Sequence, residues 1–256
     1  TSPLGTPLAL EDMNREHLAA AQGGTAYSTS SVPMNVRRKS IGDPRGLAFS
    51  PDGKYVYVTG MGSNNVVVLD GNGTGRGLGK RNTIGRTINV GEGPTGIKFD
   101  GVRNRVYVLN RFDGSISTIN AATPGSESVL STVSFFDPTP IEIRLGRPHL
   151  YDTHQNSGLG QIACASCHID GRMDRLAWDL GDPIGEVKPV TANGLLIGGI
   201  AGVHNEFKPF GPSGAHFDDF HPMKGPMTTQ TLVDIIGKEP HHWRGDRDGI
   251  EEFVGA

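Results

Sequence analysis

Cysteine is almost missing. Cys164 and Cys167 are the only two in 256 residues, which excludes a disulfide framework and leaves no second cysteine pair to complete a structural zinc site. Long apolar runs are missing as well: nothing approaches the ~18 residues that cross a bilayer. The most apolar piece, residues 194–203, is short and broken by Gly194, Gly198, Gly199 and Gly202. No charge sign dominates, because 24 Lys and Arg are dispersed among 27 Asp and Glu for a net charge of −3, so nothing argues for nucleic acid as a partner. Arg37-Arg38-Lys39 is the one basic cluster and reads as a solvated loop. Thr1 opens a polar stretch rather than an apolar leader, so the sequence is expected to start after a removed leader or partway into a longer protein.

Glycine, by contrast, is abundant at 37 residues, which suits a turn-rich β protein better than a helical bundle, and 36% apolar residues still support a core. Residues 8–22 have helical spacing and stop at Gly23-Gly24. From Ile41 the chain repeats itself. Pro44-Arg45-Gly46-Leu47-Ala48-Phe49 is echoed by Pro94-Thr95-Gly96-Ile97-Lys98-Phe99, and Tyr57-Val58 by Tyr107-Val108, each fifty residues on. Short alternating strands at such a period indicate propeller blades. The sequence predicts three strands per unit, over 47–49, 55–58 and 66–70, then 97–99, 105–108 and 115–120. Tyr57-Val58-Thr59-Gly60 and Tyr107-Val108-Leu109-Asn110 resemble the YVTN-type propeller repeat. Two units cannot close a ring of ~4–8 blades, so missing sequence or another chain must complete it. Gly71-Asn72-Gly73-Thr74-Gly75-Arg76-Gly77 lacks the Gly-Lys-Ser/Thr of a phosphate loop and reads as an inter-blade hairpin.

The densest chemical signal is Cys164-Ala165-Ser166-Cys167-His168, which has the spacing for covalent c-type haem: two thiols for the porphyrin vinyls and an imidazole for the iron. A redox dithiol and half a zinc site are the competing readings. The first wants a strand-helix context; the second must recruit scattered histidines such as His154, His204 or His216. In the haem reading His168 is the proximal ligand. Met227, 59 residues later, is the distal candidate in a turn before a helix through residues 231–236, and His242 is the alternative. Gly171 is placed to end the motif helix. Asp246, Asp248, Glu251 and Glu252 do not match a calcium loop.

Leu145-Gly146-Arg147-Pro148-His149-Leu150-Tyr151-Asp152, Ser157-Gly158-Leu159-Gly160-Gln161-Ile162 and the Cys-Ala-Ser-Cys-His block together resemble the first haem segment of the bacterial di-haem cytochrome c peroxidase superfamily. Residues 225–232 and His242-Trp243-Arg244-Gly245-Asp246 resemble a branch in which a haem domain follows a propeller, although this chain has one haem motif rather than two.

That resemblance implies a multidomain protein: residues 1–40 a helix and linker, 41–136 two propeller repeats, and 137–256 a mainly α cytochrome c domain whose sequence stops early. It implies one covalent haem c, one-electron transfer on the periplasmic or extracellular side of a bacterial membrane, and a redox partner or larger assembly docked by the propeller. The alternative is a peroxidase needing a second haem, with His242, Glu206 and Arg244 as possible players. A third reading makes the haem structural and the propeller the working module.

Overall fold

In Val66-Val67-Val68-Leu69 every position is apolar, which suits a strand covered on both faces rather than one exposed on one side. The computed structural model describes residues 13–70, 87–179 and 226–241, together with Gly249. Those valines lie in the third strand of a four-stranded antiparallel sheet, ordered β1(Pro44–Phe49)-β2(Tyr55–Gly60)-β3(Asn65–Asp70)-β4(Thr87–Asn89). A second sheet repeats the design as β5(Pro94–Asp100)-β6(Arg105–Asn110)-β7(Ser115–Asn120)-β8(Ser128–Ser134). The six strands expected from the repeat are present. Each blade also has a fourth strand that the repeat did not reveal.

The blades stack face to face. Tyr57, Val66, Val68 and Ile88 of the first pack against Val106, Val108, Ile119 and Ala121 of the second, with Ile97 and Phe99 at the margin. Burying each such valine or isoleucine fully contributes about 1.5–3 kcal/mol. The blades approach closely at Gly46, where an added Cβ would collide with the Thr95 carbonyl oxygen of the second blade. The other face of the first blade carries Ile41, Val56, Val58, Val67 and Leu69, packed with Met13. It thus receives the N-terminal segment, which holds α1(Arg15–Ala21) and α2(Met34–Arg37). Asn14 clamps that segment from both sides: its Nδ2 donates to Ile41 O at 2.9 Å and its Oδ1 accepts from Ile41 N at 2.8 Å.

After β8 come α3(Ile141–Tyr151) and α4(Thr153–Asn156), the latter capped by Asp152 Oδ1, which accepts from His154 N and Gln155 N. They are tied to the first blade. Thr153 N and Oγ1 both donate to Gly62 O, at 2.8 and 3.1 Å, and Ser40 Oγ donates to Leu159 O at 2.6 Å. Residues Thr1–Ser166 form one compact unit and Cys167–Ala256 another, so the unit boundary falls inside the Cys-x-x-Cys-His motif.

The second unit overturns the expectation of a mainly α domain. Its described residues hold a 3-10 turn at Ile169–Gly171 and a two-stranded antiparallel sheet of β9(Ala177–Asp179) and β10(Pro226–Thr228). The motif forms no α-helix. Cys164–Ser166 is a single 3-10 turn, and Asp170 at φ 53° and Gly171 at φ +71° turn the chain away. The helix expected over 231–236 is absent because Met227 lies in β10 and Asp234 has φ 62°, outside the helical region.

Candidate functional site

Where blade two begins, the loop that carries Glu92 meets the β6–β7 turn. Glu92 N–H donates to Asp113 Oδ2 at 2.7 Å, and Phe112 N–H returns a bond to Glu92 O at 3.0 Å. A cleft opens beside this exchange, lined by Met61, Asn64, Glu92, Phe112, Arg147 and Tyr151 among others. Partial desolvation, reinforced by the negative charges of Asp113 and Asp152, pushes the Glu92 carboxyl above its ordinary 4.5. Arg144 and Arg147 offset part of that rise.

Arg147 is held by the wall it supports. Its guanidinium donates to Phe112 O at 2.8 Å and to Thr139 Oγ1 at 3.1 Å, and lies 5.1 Å from the centroid of the Phe112 ring. Phe112 in turn meets Tyr151 at 4.8 Å between ring centroids. Asn64 Oδ1 accepts from Gly93 N at 3.0 Å, which leaves the amide NH2 as the group this side chain offers the cleft. The arrangement joins a carboxylate of raised pKa to an amide donor beside apolar side chains, a combination suited to proton transfer. Sequence reasoning missed this site. Its only trace was a break in the repeat, because Glu92 stands where the first unit has Gly42.

None of the Cys-x-x-Cys-His residues lines this cleft. Cys164 is exposed, yet partial desolvation pushes its thiol pKa up, so it lacks the activated thiolate of a redox dithiol. His168 Nδ1 faces Gln230 O at 2.7 Å. A carbonyl only accepts, so Nδ1 carries the proton and the lone pair sits on Nε2, the tautomer a proximal haem ligand requires. These residues fit a covalent haem in that respect. Met227 is half-buried in β10, opposite Trp178, three residues before the Gln230 carbonyl that backs His168. Trp178 is exposed and its Nε1 donates to Asp174 Oδ2 at 2.7 Å. His242, Arg244, His204, Glu206 and His216 lie outside the described residues, as do residues 71–77 and 194–203. Among the described residues no three His, Cys, Asp or Glu side chains gather as metal ligands, and no helix is long and apolar enough to cross a membrane.

Comparison with known proteins corrects the family. The family described as "Lactonase, 7-bladed beta-propeller" matches residues 21–162, more than half of the chain. The match takes in residues 145–162, which had carried most of the resemblance to the cytochrome c peroxidases. In the structure they serve the propeller: Arg147 props the Phe112 turn, Thr153 bonds Gly62, and Leu159 bonds Ser40. The cytochrome c family, one-electron transfer and its peroxidase alternative, and the oxidoreductase class are therefore withdrawn. Haem and iron are no longer implied by kinship; what speaks for them is Cys164, Cys167 and His168 alone.

Several solved structures are similar over part of the chain. A functionally unknown protein from Desulfotomaculum acetoxidans is 22% identical, with 37% of this chain and 29% of that one covered and a TM-score of 0.33. The periplasmic gluconolactonase PpgL of Pseudomonas aeruginosa is 19% identical over 38% of this chain and 27% of its own, TM-score 0.33. A protein from Bacteroides fragilis described as a 6-phosphogluconolactonase is 17% identical over 44% and 33%, TM-score 0.34. This chain thus spans about a third or less of each of these proteins. None of the curated proteins matches it. With four strands in each of its two blades and a match running from 21 to 162, the chain belongs to the seven-bladed β-propeller lactonase family.

Proposed function

We propose that this chain is the propeller portion of a hydrolase that opens cyclic esters, with Glu92 as the water-activating carboxylate. The observation that carries the reading is the raised pKa of Glu92 at the edge of a cleft in a lactonase-family blade. The Glu92 carboxylate takes a proton from water, and the resulting hydroxide attacks the ring carbonyl carbon. The Asn64 amide donates to the carbonyl oxygen as charge gathers there. The ring C–O bond then breaks, and the proton passes to the departing oxygen to leave an open hydroxy acid. Arg147 is a positioning residue, since its donors are spent on Phe112 and Thr139.

Propellers of one family host many activities, so the reaction class needs a direct assay. Gluconolactone is the probe, because two of the similar proteins are described as acting on lactones of this kind. Glu92→Gln should lower kcat about 10²–10⁴-fold with KM little changed, and the acid limb of the wild-type pH profile should lie above 4.5. The same variant should melt higher than wild type at neutral pH, because it removes a partly desolvated charge and its repulsion from Asp113 and Asp152. Wild-type turnover by Glu92→Gln, folded by that criterion, defeats the assignment.

Cys164, Cys167 and His168 are proposed in addition to hold one covalent haem c, with no part in ester opening assigned to it. His168 Nε2 would face the iron, and the Gln230 carbonyl would fix the ring. Bound haem would supply an iron centre at this motif. Because such attachment is normally made outside the cytoplasm, we also propose a periplasmic or extracellular location. The test is mass spectrometry of the denatured chain made alongside a c-type haem maturation system. The chain should retain one haem, and Cys164→Ala with Cys167→Ala should lose it. A haem-free wild-type chain under those conditions ends this part of the proposal.

A further inference from the structure

β8 ends its sheet: it pairs with β7 on one side and, among the described residues, with no strand on the other. A free strand edge offers a row of unpaired backbone N–H and C=O groups, which proteins blunt by brevity, charge, proline or a bulge. The outer strand of the first blade is blunted in this way, for β4 has three residues and Arg86 immediately precedes it. β8 has seven, all exposed, and residues 128–136 contain neither a charged side chain nor a proline. Glu127 and Asp137 bracket that run but are engaged within the chain: Glu127 Oε1 accepts from the Tyr57 hydroxyl at 3.3 Å, and Asp137 Oδ1 accepts from Thr139 N at 3.0 Å. One bulge is present. The register with β7 slips between Thr118 and Ile119, where Leu130 is the extra residue, so the regular edge is Ser131–Ser134, continued by the exposed Phe135 and Phe136.

The same strand of a second copy matches this edge. Antiparallel about a two-fold axis, each copy gives the other its N–H and C=O groups, and one patch serves on both sides. Because the run is uncharged, the pairing sets no like charges opposite each other, whereas a charged partner strand of either sign would find no complement here. Val133, 65% exposed, lies in the regular stretch, where it adds apolar contact between the copies. We propose that Ser131–Ser134 of β8 is a homodimer interface, at which two copies pair their edges antiparallel and join two four-stranded sheets into one of eight. The contact runs along the outer edge of the blade and not across its face, so a neighbour packed on either face leaves it open. The proposal does not depend on the reaction assigned to Glu92.

An interface of one strand edge falls below about 1,200 Å², the class of weak and transient encounters. Sedimentation of the full chain should therefore show monomer when dilute and a growing dimer fraction as concentration rises toward about 1 mM. A monomer throughout that range overturns the proposal. Val133→Lys, which sets two ammonium groups near the axis, should abolish the dimer while the circular dichroism melt of the dilute monomer stays as in wild type. Val102→Lys, the same change at a 90% exposed position in the β5–β6 turn, should leave the dimer intact. Equal dimerisation of wild type and Val133→Lys, or equal loss in both variants, also overturns it. Cysteine cross-linking reads the geometry, in a chain carrying Cys164→Ala and Cys167→Ala. Of Ser131→Cys, Thr132→Cys and Val133→Cys, tested singly under oxidising conditions, one should form a disulfide-linked dimer, because only the residue nearest the axis meets its own counterpart. Linkage at all three, as parallel strands would give, or at none, counts against the antiparallel edge.

Discussion

His154 shows how far a single side chain can be committed to the fold. Its Nε2 donates to Ser40 O at 3.0 Å, and burial holds the imidazole pKa below the ordinary 6.5 against the pull of Asp152, with Arg37 and Arg38 adding to the depression. The sign follows from linkage. Above 6.5 both folded and unfolded chains hold a neutral imidazole, and as pH falls through 6.5 the unfolded chain takes the proton first. Stability therefore declines on the acid side, and His154→Gln should flatten the fall of Tm between about pH 6.5 and 5 in a thermal melt series. An unchanged slope would mean that another group sets it. Glu92 titrates with the opposite sense: its raised pKa makes its contribution least favourable once it ionises, as pH rises past 4.5. Neither behaviour was legible in the sequence, because a pKa depends on neighbours brought from 40, 113 and 152.

At the scale of elements, pattern served well for strands and poorly for helices. Val56-Tyr57-Val58 and Val66-Val67-Val68 are strands because β-branched and aromatic side chains fit a pleated, covered sheet. β8 escaped notice because all seven of its residues are exposed, so no buried alternation marks it. The helix expected near 231–236 failed because apolar spacing was read without the left-handed Asp234 that interrupts it. The tie between blade one and α4 rests on close approach at Gly62, where an added Cβ would stand 2.7 Å from Thr153 Cγ2 and 2.9 Å from Tyr151 O. Gly62→Ala should therefore cost about 1–3 kcal/mol in denaturant unfolding. Gly53, with nothing within 4 Å of such a Cβ but a φ of +70°, would be strained by its backbone alone.

Over the whole chain, the repeat read from sequence became two stacked blades, and the segment from 145 to 162 changed allegiance. As a string of residues it resembled the approach to a haem; as structure it is bonded to Gly62, Ser40 and Phe112 of the propeller. The sequence by itself determined the blades. A fifty-residue repeat of alternating strands is local information, carried by which side chains can line each face of a sheet. It also determined that Cys164, Cys167 and His168 adjoin in the chain, which is all that covalent spacing requires. Only the tertiary structure decided that Glu92 meets Asp113 beside an open cleft, that Met13 packs on the Val56-Val58-Leu69 face of the first blade, and that Leu109, Ile116 and Val133 are exposed. The physical reason is the same in each case: burial, charge repulsion and close approach are properties of residues far apart in sequence, and they exist only once the chain has brought them together.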